Sequence, residues 1–272
     1  MADATEMLRG EVAIVTGGGR GVGAAVARAL AAAGASVTVA ARTQAEVEAV
    51  AAELGHRSLA VTADVTDAAA VERLVTETTR ALGAPTLLVN NAGVWRHVGP
   101  LAEADPDAWW ADVEVTLRGA FLCTRAVLPA MLAAGRGRIV NVASYAAVRA
   151  APHASGYASG KAALLRVTDS LAAELEGTGV TCLAVTPGFV RTDLVEAVAR
   201  SPEAQRYLPE LAARTDALPP ERLGELVVAV AEGRLDALAG RLVHVLDDLD
   251  VLLSQVDAIL AEDLYTLRLR AR

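Results

Sequence analysis

Strand-like apolar runs alternate with helical segments along most of this chain, and this alternation constrains the fold more than any other feature. In the first unit, a β-branched run at Val12–Val15 enters a glycine-rich turn at Thr16–Gly23. An alanine-rich helical stretch over Ala24–Ala33 then ends at Gly34, and a second strand is predicted at Val37–Ala41. A strand, a tight turn, a helix and a strand within about thirty residues form one βαβ unit.

The same alternation continues as far as Thr186. Most of the strand-like runs are continuously apolar, which is typical of strands buried on both faces of a parallel sheet. We therefore predict an α/β fold, a doubly wound Rossmann-type parallel sheet with helices on both faces, in which residues 1–272 form a single domain. The predicted helices are Gln44–Leu54, Asp67–Leu82 (capped by Thr66 or Asp67), Asp107–Ala133 and Ser155–Glu176, and the predicted strands are Ser58–Val61, Leu87–Asn90, Arg138–Val142 and Val180–Thr186.

The pattern weakens after Thr186. Residues 190–218 contain several prolines and are predicted to form a pair of short helices with loops, which would serve as a substrate lid. A helix at Glu221–Ala231 and a last strand at Arg241–Leu246 follow. Residues 247–272 are predicted as a C-terminal helix, Asp248–Ala261, and a tail.

Composition excludes several classes of protein. Hydrophobic residues make up 53% of the chain, too many for a disordered protein, and the net charge of −8 argues against a nucleic-acid partner. No apolar run looks long and uncharged enough for a bilayer, and Met1–Gly10 lacks a signal-peptide core, so we expect no membrane association and a cytoplasmic protein. Cys123 and Cys182 lie in apolar contexts, no Cys/His cluster has metal-ligand spacing, and we predict no metal site.

The glycine-rich turn predicts a dinucleotide site. Its glycines let the backbone approach a pyrophosphate, which the N-terminus of the following helix would bind. Glycine turns also occur for purely structural reasons, but the position between a strand and a helix favours dinucleotide binding. No G-K-[S/T] is present, which excludes a Walker loop.

The end of the second strand bears on the choice of cofactor. An NAD site usually has an acidic residue there, whereas this chain has Ala40, Ala41 and Arg42. Arg42, together with Arg20 in the glycine turn, would accommodate a 2′-phosphate, so NADP(H) is favoured over NAD(H). A solvated surface position is the alternative for either arginine.

Polar residues follow the third and fourth predicted strands. Asp64 is either a loop cap or an acceptor for the adenine amino group. Asn90–Gly93 would lie at the carboxyl end of a central strand, where open α/β sheets bind ligands.

Lys161 is the only lysine in the chain, since every other basic residue apart from histidine is arginine. Tyr157 lies four residues earlier and would share a helix face with it, while Ser144 lies thirteen residues before Tyr157. A compact ammonium group with an adjustable pKa suits a site between a phenol and ribose hydroxyls, where the wide guanidinium fork does not. A surface lysine is the alternative, but the upstream cofactor motifs favour an active site.

With these motifs in place, the chain resembles the short, single-domain branch of the short-chain dehydrogenase/reductase family. The resemblance covers about Val12 to Thr192. It is carried by T-G-x-x-x-G-x-G at Thr16–Gly23, D-V at Asp64–Val65, N-N-A-G at Asn90–Gly93, Ser144, Y-x-x-x-K at Tyr157–Lys161 and P-G-x-V-x-T at Pro187–Thr192.

The resemblance implies a role for each matching residue. Tyr157 would be the general acid or base, Lys161 would lower its pKa and bind the nicotinamide ribose, and Ser144 would hold the substrate oxygen. The cofactor would contact Thr16, Gly17, Gly19, Arg20, Gly21, Val22, Gly23, Arg42, Asp64, Val65, Asn91, Ala92, Gly93, Tyr157, Lys161, Pro187, Gly188, Val190 and Thr192.

The chain departs from the family pattern at two places. Thr116, between Val115 and Leu117, replaces an asparagine that helps to hold a water in a proton relay, and either it positions that water or it merely packs in the helix. The C-terminal region lacks the family's paired glycines. The resemblance also implies a homodimer or homotetramer formed through the helices at 107–133 and 155–176.

The predicted function is an NADP-dependent oxidoreductase that interconverts a ketone or aldehyde and an alcohol. Its pocket would be walled by Trp95, Ala146–His153 and Phe189–Leu218, whose apolar character favours a mid-sized, fairly apolar small-molecule substrate. The alternatives are an NAD-dependent alcohol dehydrogenase and a non-catalytic NADP-binding regulator, which the departure at Thr116 motivates.

Overall fold

The computed structural model describes residues 6–268 and shows a seven-stranded sheet in the order β3-β2-β1-β4-β5-β6-β7. Every neighbouring pair of strands is parallel. With helices on both faces, this confirms the predicted doubly wound Rossmann-type fold in a single domain. The strands are β1 (Val12–Thr16), β2 (Ser36–Ala41), β3 (Ser58–Thr62), β4 (Leu87–Asn90), β5 (Gly137–Val142), β6 (Val180–Thr186) and β7 (Leu242–His244).

Three helices connect the strands of the first half: α1 (Gly21–Ala32), α2 (Gln44–Leu54) and α3 (Ala68–Leu82). Helix α1 begins within the glycine turn, three residues earlier than predicted. Of the two predicted caps for α3, Asp67 is the one observed, because its carboxylate accepts a hydrogen bond from the Ala69 N–H.

The helix predicted at Asp107–Ala133 is not regular throughout. It consists of α4 (Pro106–Val113), a π-helical turn at Glu114–Arg118 and α5 (Gly119–Ala134). Asp105 caps α4 by accepting from the Ala108 N–H at 2.7 Å. The π-helical turn holds an extra residue relative to an α-helical turn, and a residue pattern based on a constant period does not reveal it.

The same segment corrects the prediction about membrane-spanning runs. Pro106–Ala134 extends over 29 residues with a mean hydropathy of 1.3 in its most apolar stretch, which meets the length and composition of a spanning helix. Within residues 6–268 it is the one helix that does so. It packs against α3, β4 and β5 as a layer of the domain.

The second half contains α6 (Ser155–Glu174) between β5 and β6 and α10 (Glu221–Ala231) before β7. Between β6 and α10 the structure has three short helices instead of the predicted pair. They are α7 (Asp193–Ala199), α8 (Pro202–Tyr207) and α9 (Pro209–Ala213). Prolines occupy the first positions of α8 and α9, where a missing backbone N–H costs nothing.

The C-terminal region differs from the prediction in two ways. Strand β7 has three residues instead of the six of Arg241–Leu246, and the helix predicted at Asp248–Ala261 is broken into α11 (Leu249–Ser254) and α12 (Val256–Ala261). The break is at Gln255, whose backbone leaves the α-helical region with φ −108° and ψ 9°. Residues 269–272 of the predicted tail lie outside the described residues.

The hydrophobic core lies on both faces of the sheet. One side is built from Val15, Val37, Val89 and the facing sides of α1 and α10, and the other from Ile14, Leu88 and the inner faces of α3 and α5. Because successive residues of a strand point to opposite faces, strands that are apolar at every position fill both layers. The candidate site lies at the edge of the sheet formed by the carboxyl ends of the strands, where polar residues follow the apolar runs.

Candidate active site

A cleft of about 1050 Å³ opens at the carboxyl ends of the strands. It is lined by the turn after β1, by the segments that follow β2 to β6, and by the short helices after β6. All predicted site residues except Thr16 and Thr116 line this cleft. The structure therefore brings together residues that are up to 175 positions apart in the chain, from Gly17 to Thr192.

The turn between β1 and α1 is so tight that it requires glycine at two positions. Gly17 has φ +62°, and a methyl group placed on Gly23 would lie 2.2 Å from the Gly17 carbonyl oxygen. No side chain caps the start of α1. The first N–H groups of this twelve-residue helix thus remain available to an anion, as pyrophosphate binding requires.

Thr16 and Asn91 brace this turn. The buried Thr16 hydroxyl accepts hydrogen bonds from the N–H groups of Asn91 and Ala92 at 3.0 and 3.2 Å and donates to the Val89 carbonyl. The Asn91 amide group donates to the carbonyls of Thr16 and Gly17 at 3.0 and 3.1 Å. Thr16 was predicted to contact the cofactor, but the structure places it behind the turn as a support.

Two arginines and one carboxylate flank the end of β2. Arg20 and Arg42 are exposed and line the cleft, as the predicted phosphate-binding pair would have to be. Glu46 also lines the cleft, and its Oε1 lies 3.7 Å from Nη1 of Arg20. The sequence interpretation considered only the strand end and missed Glu46, although α2 begins three residues after β2 and its first turn must lie beside the strand end.

Asp64 forms an Asx-type turn with Thr66, accepting from its N–H at 2.9 Å and from its hydroxyl at 2.7 Å. Burial opposes ionisation of Asp64, but these bonds and the positive charge of Arg42 outweigh it and hold the pKa below its usual value. Asp64 is therefore an ionised acceptor at the cleft wall.

Ser144, Tyr157 and Lys161 meet at the cleft next to β5. Lys161 is 5% exposed, and its ammonium donates to the Val142 carbonyl at 2.6 Å. Burial lowers the pKa of Lys161 from its usual 10.5 to about 8. The Lys161 Nζ lies 5.9 Å from the centroid of the Tyr157 ring, as expected for residues four apart on one helix face.

The Tyr157 phenol lies in a half-buried position with competing influences on its pKa. Burial raises the pKa, a hydrogen bond with Ser144 lowers it, and the charge of Asp112 raises it, so that the net direction is upward. Ser144 also caps a short 3-10 turn by accepting from the Ala146 N–H at 3.2 Å. The upward shift of the pKa keeps this phenol protonated at neutral pH.

Thr116 lies behind the cleft, in the π-helical turn. Its hydroxyl is buried and has no hydrogen-bond partner among the described residues. A methyl group placed on Gly93 would be 3.8 Å from the Thr116 hydroxyl and 3.7 Å from the Lys161 ammonium, so both groups border one small niche. An orphaned buried hydroxyl beside an ammonium is a suitable partner for water.

Trp95 and Asp112 were not predicted to act together, yet they surround Tyr157. The Trp95 indole stacks on the Tyr157 ring with centroids 5.0 Å apart and planes 18° apart. Asp112 is fully buried, and its carboxylate accepts from the N–H groups of Arg96 and His97. Nothing in the local pattern of α4 distinguishes Asp112 from a solvated helix carboxylate.

The segment after β6 closes one side of the cleft. The Arg214 guanidinium lies 3.8 Å from the centroid of the Phe189 ring and pairs with Asp216 at 2.7 Å. Arg191 donates to the carbonyls of Ala212 and Arg214, which ties the segment into a loop. The predicted wall of Trp95, Ala146–His153 and Phe189–Leu218 thus contributes to one continuous cleft surface, although His153 itself turns away and stacks on Tyr207.

The fold and this cleft define a dinucleotide-binding α/β protein with a tyrosine and a lysine at the open end of the sheet. The sequence profile of the short chain dehydrogenases matches residues 11–203. A short chain dehydrogenase of Pseudocercospora fijiensis is 35% identical over 262 residues, which covers 92% of this chain and 84% of the relative. The chain therefore belongs to the short chain dehydrogenase family.

Two solved structures add detail to this assignment. The 3-ketoacyl-(acyl-carrier-protein) reductase of Brucella melitensis, solved with NADH, has a TM-score of 0.76 and 29% identity and covers 87% of this chain and 97% of its own. A variant of the actinorhodin polyketide ketoreductase, solved with NADPH, has a TM-score of 0.78 and 31% identity, with coverages of 90% and 97%. The protein is an oxidoreductase that uses a nicotinamide cofactor and acts on a CH–OH or carbonyl group.

Proposed function

We propose that the protein is an NADP-dependent reductase that interconverts a ketone or aldehyde and the corresponding alcohol, with Tyr157 as general acid and base. The observation that carries the proposal is the convergence of Ser144, Tyr157 and Lys161 at the cleft that the glycine turn opens. Each comes from a different part of the β5–α6 region, and together they provide a hydrogen-bond donor, a proton donor and a cation.

A nicotinamide cofactor held at the glycine turn would supply hydride to the carbonyl carbon or accept it from the alcohol. In reduction, the Ser144 hydroxyl orients the carbonyl oxygen, and Tyr157 transfers its proton to that oxygen as the C–H bond forms. Lys161, with its positive charge near the phenol, stabilises the tyrosinate that results. The new alcohol thus gains one hydride and one proton, and in oxidation the same groups run in reverse.

The preference for NADP rests on Arg20 and Arg42, which flank the site where a 2′-phosphate would lie. Neither of the two solved relatives decides the matter, since one carries NADH and the other NADPH. Glu46 favours the NAD alternative, because its charge opposes a phosphate and occupies Arg20. Arg20 and Arg42 together carry more charge than Glu46, so the site at the end of β2 is positive overall, which supports NADP.

The cleft wall supports a mid-sized, fairly apolar substrate. Trp95, Phe189, Leu211 and Leu218 all line it. Both solved relatives are named as reductases of a keto group, which favours a ketone over an aldehyde. Residues 190–218 would act as a lid over this substrate, because they line the cleft but belong to no strand of the sheet and are held by side chains such as Arg191.

We also propose a homodimer or homotetramer in the cytoplasm. The outward side of the α4–α5 segment supports self-association, since Trp110 is 60% exposed and Phe121 is 53% exposed. Large exposed apolar side chains along one helical segment mark a candidate interface. We propose no nucleic-acid partner, because the net charge of −8 would repel a phosphate backbone.

The direct test of the proposed role of Tyr157 is the change Tyr157→Phe, which removes the hydroxyl and keeps the ring. We expect turnover of ketones with NADPH to fall by about two to four orders of magnitude, the range for loss of general acid catalysis. NADPH affinity, measured by fluorescence titration, should stay within a few-fold of the wild type. Retained binding with normal turnover would exclude Tyr157 as the proton donor.

The matched control is Tyr265→Phe, which makes the same chemical change outside the main cleft. It should leave turnover unchanged. Assays of the wild type with a panel of ketones and both cofactors address the remaining alternative. A chain that binds NADPH but turns over no carbonyl or alcohol substrate would be the non-catalytic regulator.

A further inference from the structure

We propose that Asp112 is a positioning residue for Tyr157, acting through the loop that carries Trp95 and through the start of α6. This inference rests on the proposed acid–base role of Tyr157. It assigns a function to a buried carboxylate that neither substrate nor cofactor touches, since Asp112 does not line the cleft.

The burial of Asp112 calls for an explanation. The residue is 0% exposed, and an aspartate is almost never so buried unless it is paired. Among the described residues it has no ion-pair partner within 4 Å, and its carboxylate is satisfied by backbone N–H groups instead, at 2.6 Å from Arg96 and 3.2 Å from His97. An apolar residue of similar size would avoid the desolvation cost.

The two N–H bonds act directly on the position of Trp95. Arg96 and His97 follow Trp95 in the chain, so Asp112 holds the backbone on the C-terminal side of the indole. The indole Nε1–H donates to the His97 carbonyl at 3.2 Å, which closes the loop on itself. Because these hydrogen bonds fix residues 95–97, the Trp95 indole stays stacked on the Tyr157 phenol, with the ring centroids 5.0 Å apart.

The same carboxylate also lies against the backbone that presents Tyr157. A methyl group placed on Gly156, the residue before Tyr157, would be 3.2 Å from Asp112 Oδ2 and 2.9 Å from the Trp109 carbonyl. Only glycine allows this approach. Asp112 therefore acts on the position of the Tyr157 phenol in two ways. It holds the loop that stacks the Trp95 indole on the phenol ring, and it lies against the first turn of α6, which carries Tyr157.

The position of Asp112 has an electrostatic consequence that can be measured. Its negative charge raises the pKa of Tyr157, in addition to the effect of burial and against the hydrogen bond from Ser144. The other charged groups near the pair are Lys161 on the helix of Tyr157, and Arg96 and His97 on the loop, whose charges favour ionised Asp112. Burial itself raises the pKa of Asp112.

The first test is Asp112→Asn, which removes the charge and keeps the size but leaves one of the two backbone N–H groups without an acceptor. The pH dependence of kcat is measured for alcohol oxidation, which requires tyrosinate, and for ketone reduction, which requires the phenol. Without the negative charge Tyr157 ionises more easily, so both midpoints should move to lower pH. A purely structural role would lower kcat at every pH and leave the midpoints in place.

The matched control is Asp107→Asn, an exposed carboxylate in the first turn of the same helix. Its midpoints and kcat should equal those of the wild type. NADPH affinity should be unchanged in both variants, because neither residue lines the cleft. Unmoved midpoints in a folded Asp112→Asn protein would overturn the proposal.

A second pair of variants tests the path through Trp95 without touching the buried carboxylate. Trp95→Leu should lower kcat by on the order of tenfold to a hundredfold, while Trp95→Phe, which can still stack, should restore most of it. If Trp95→Leu turns over as fast as the wild type, the path through Trp95 is wrong. If Tyr157→Phe stays active, the proposed function is wrong. If Tyr157→Phe is inactive but the midpoints of Asp112→Asn do not move, the proposed function stands and only the inference about Asp112 is wrong.

Discussion

The unique lysine shows how far single residues can be interpreted from sequence. Lys161 is buried, and its ammonium lies 2.6 Å from the Val142 carbonyl oxygen. A compact ammonium suits such a position better than the wide planar fork of a guanidinium. Glu46 and Asp112 could not be recognised in the same way. Each is one carboxylate among many on helices, and its partners come from distant segments of the chain.

Glu46 allows a specific prediction about the cofactor. In Glu46→Gln, the charge that opposes a 2′-phosphate is lost and Arg20 is released from its 3.7 Å pairing. We expect the KM for NADPH to fall by about two- to fivefold relative to that for NADH, which corresponds to the weak energy of an exposed ion pair. Steady-state kinetics with both cofactors at low ionic strength measures the effect, and added salt should reduce it.

The control for this prediction is Glu48→Gln, an exposed carboxylate of the same helix that does not line the cleft. It should leave both KM values unchanged. A clear preference of the wild type for NADH would contradict the NADP assignment, as would equal changes for both cofactors in Glu46→Gln.

Among the elements, the α4–α5 segment combines a predictable helix with an unpredictable detail. Its apolar pattern and its Asp105–Pro106 start predict a helix, but they do not reveal the π-helical turn at Glu114–Arg118, which packs on α6. That turn places the hydroxyl of Thr116, the residue that replaces the family asparagine, beside the niche at Gly93. Whether Thr116 holds a relay water stays a prediction.

The close packing of α6 on α4 and the π-helical turn depends on Gly160. A methyl group at this position would lie 3.0 Å from the Asp112 carbonyl oxygen, 3.2 Å from the Val113 Cα and 3.3 Å from the Thr116 Cβ. Because two of these atoms are backbone, the helices must separate to accept it. Gly160→Ala should therefore lower the free energy of unfolding by about 1–3 kcal/mol, despite the better helix propensity of alanine.

Urea denaturation followed by circular dichroism measures this change. Ser159→Ala, at an exposed position of the same helix, is the control and should leave stability within about 0.5 kcal/mol of the wild type. A Gly160→Ala protein as stable as this control would show that α6 has room to shift.

At the level of the whole molecule, the sequence predicted the sheet and most of its helices correctly, because continuous apolar runs and glycine turns are local signals. It was wrong about the C-terminal region, where the break at Gln255 and the three-residue β7 depend on how the last helices pack on the sheet. Predicted site residues came together because the carboxyl ends of parallel strands share one edge. The supporting role of Thr16 and the enclosure of Tyr157 by Trp95 needed the folded chain.

The exposed side of α5 leads to a prediction about assembly. Phe121 and Leu132 are three helical turns apart and are 53% and 42% exposed, so each presents apolar surface on α5. Phe121→Glu would place a charge at the proposed interface and should shift the protein towards monomers in size-exclusion chromatography with light scattering. The new carboxylate can pair with Arg125 one turn away, so the helix itself should persist.

Met7→Glu, a charge introduced at an exposed apolar residue far along the chain from α5, is the control and should leave the assembly unchanged. The circular dichroism spectra of both variants should match the wild type. If Phe121→Glu keeps the same mass as the wild type, α5 is not at the interface.

The hydrogen bonds by which Thr16 and Asn91 brace the glycine turn have a consequence for folding during synthesis. Asn91 and the strand before it, β4, emerge from the ribosome about seventy residues after β1, yet β4 lies directly beside β1 in the sheet. Until then, the β1–β2–β3 half has an unpaired inner edge, and the glycine turn lacks its brace. A nascent chain that ends before β4 therefore has the phosphate-binding sequence without the completed site, and its open strand edge is the surface a chaperone would need to protect.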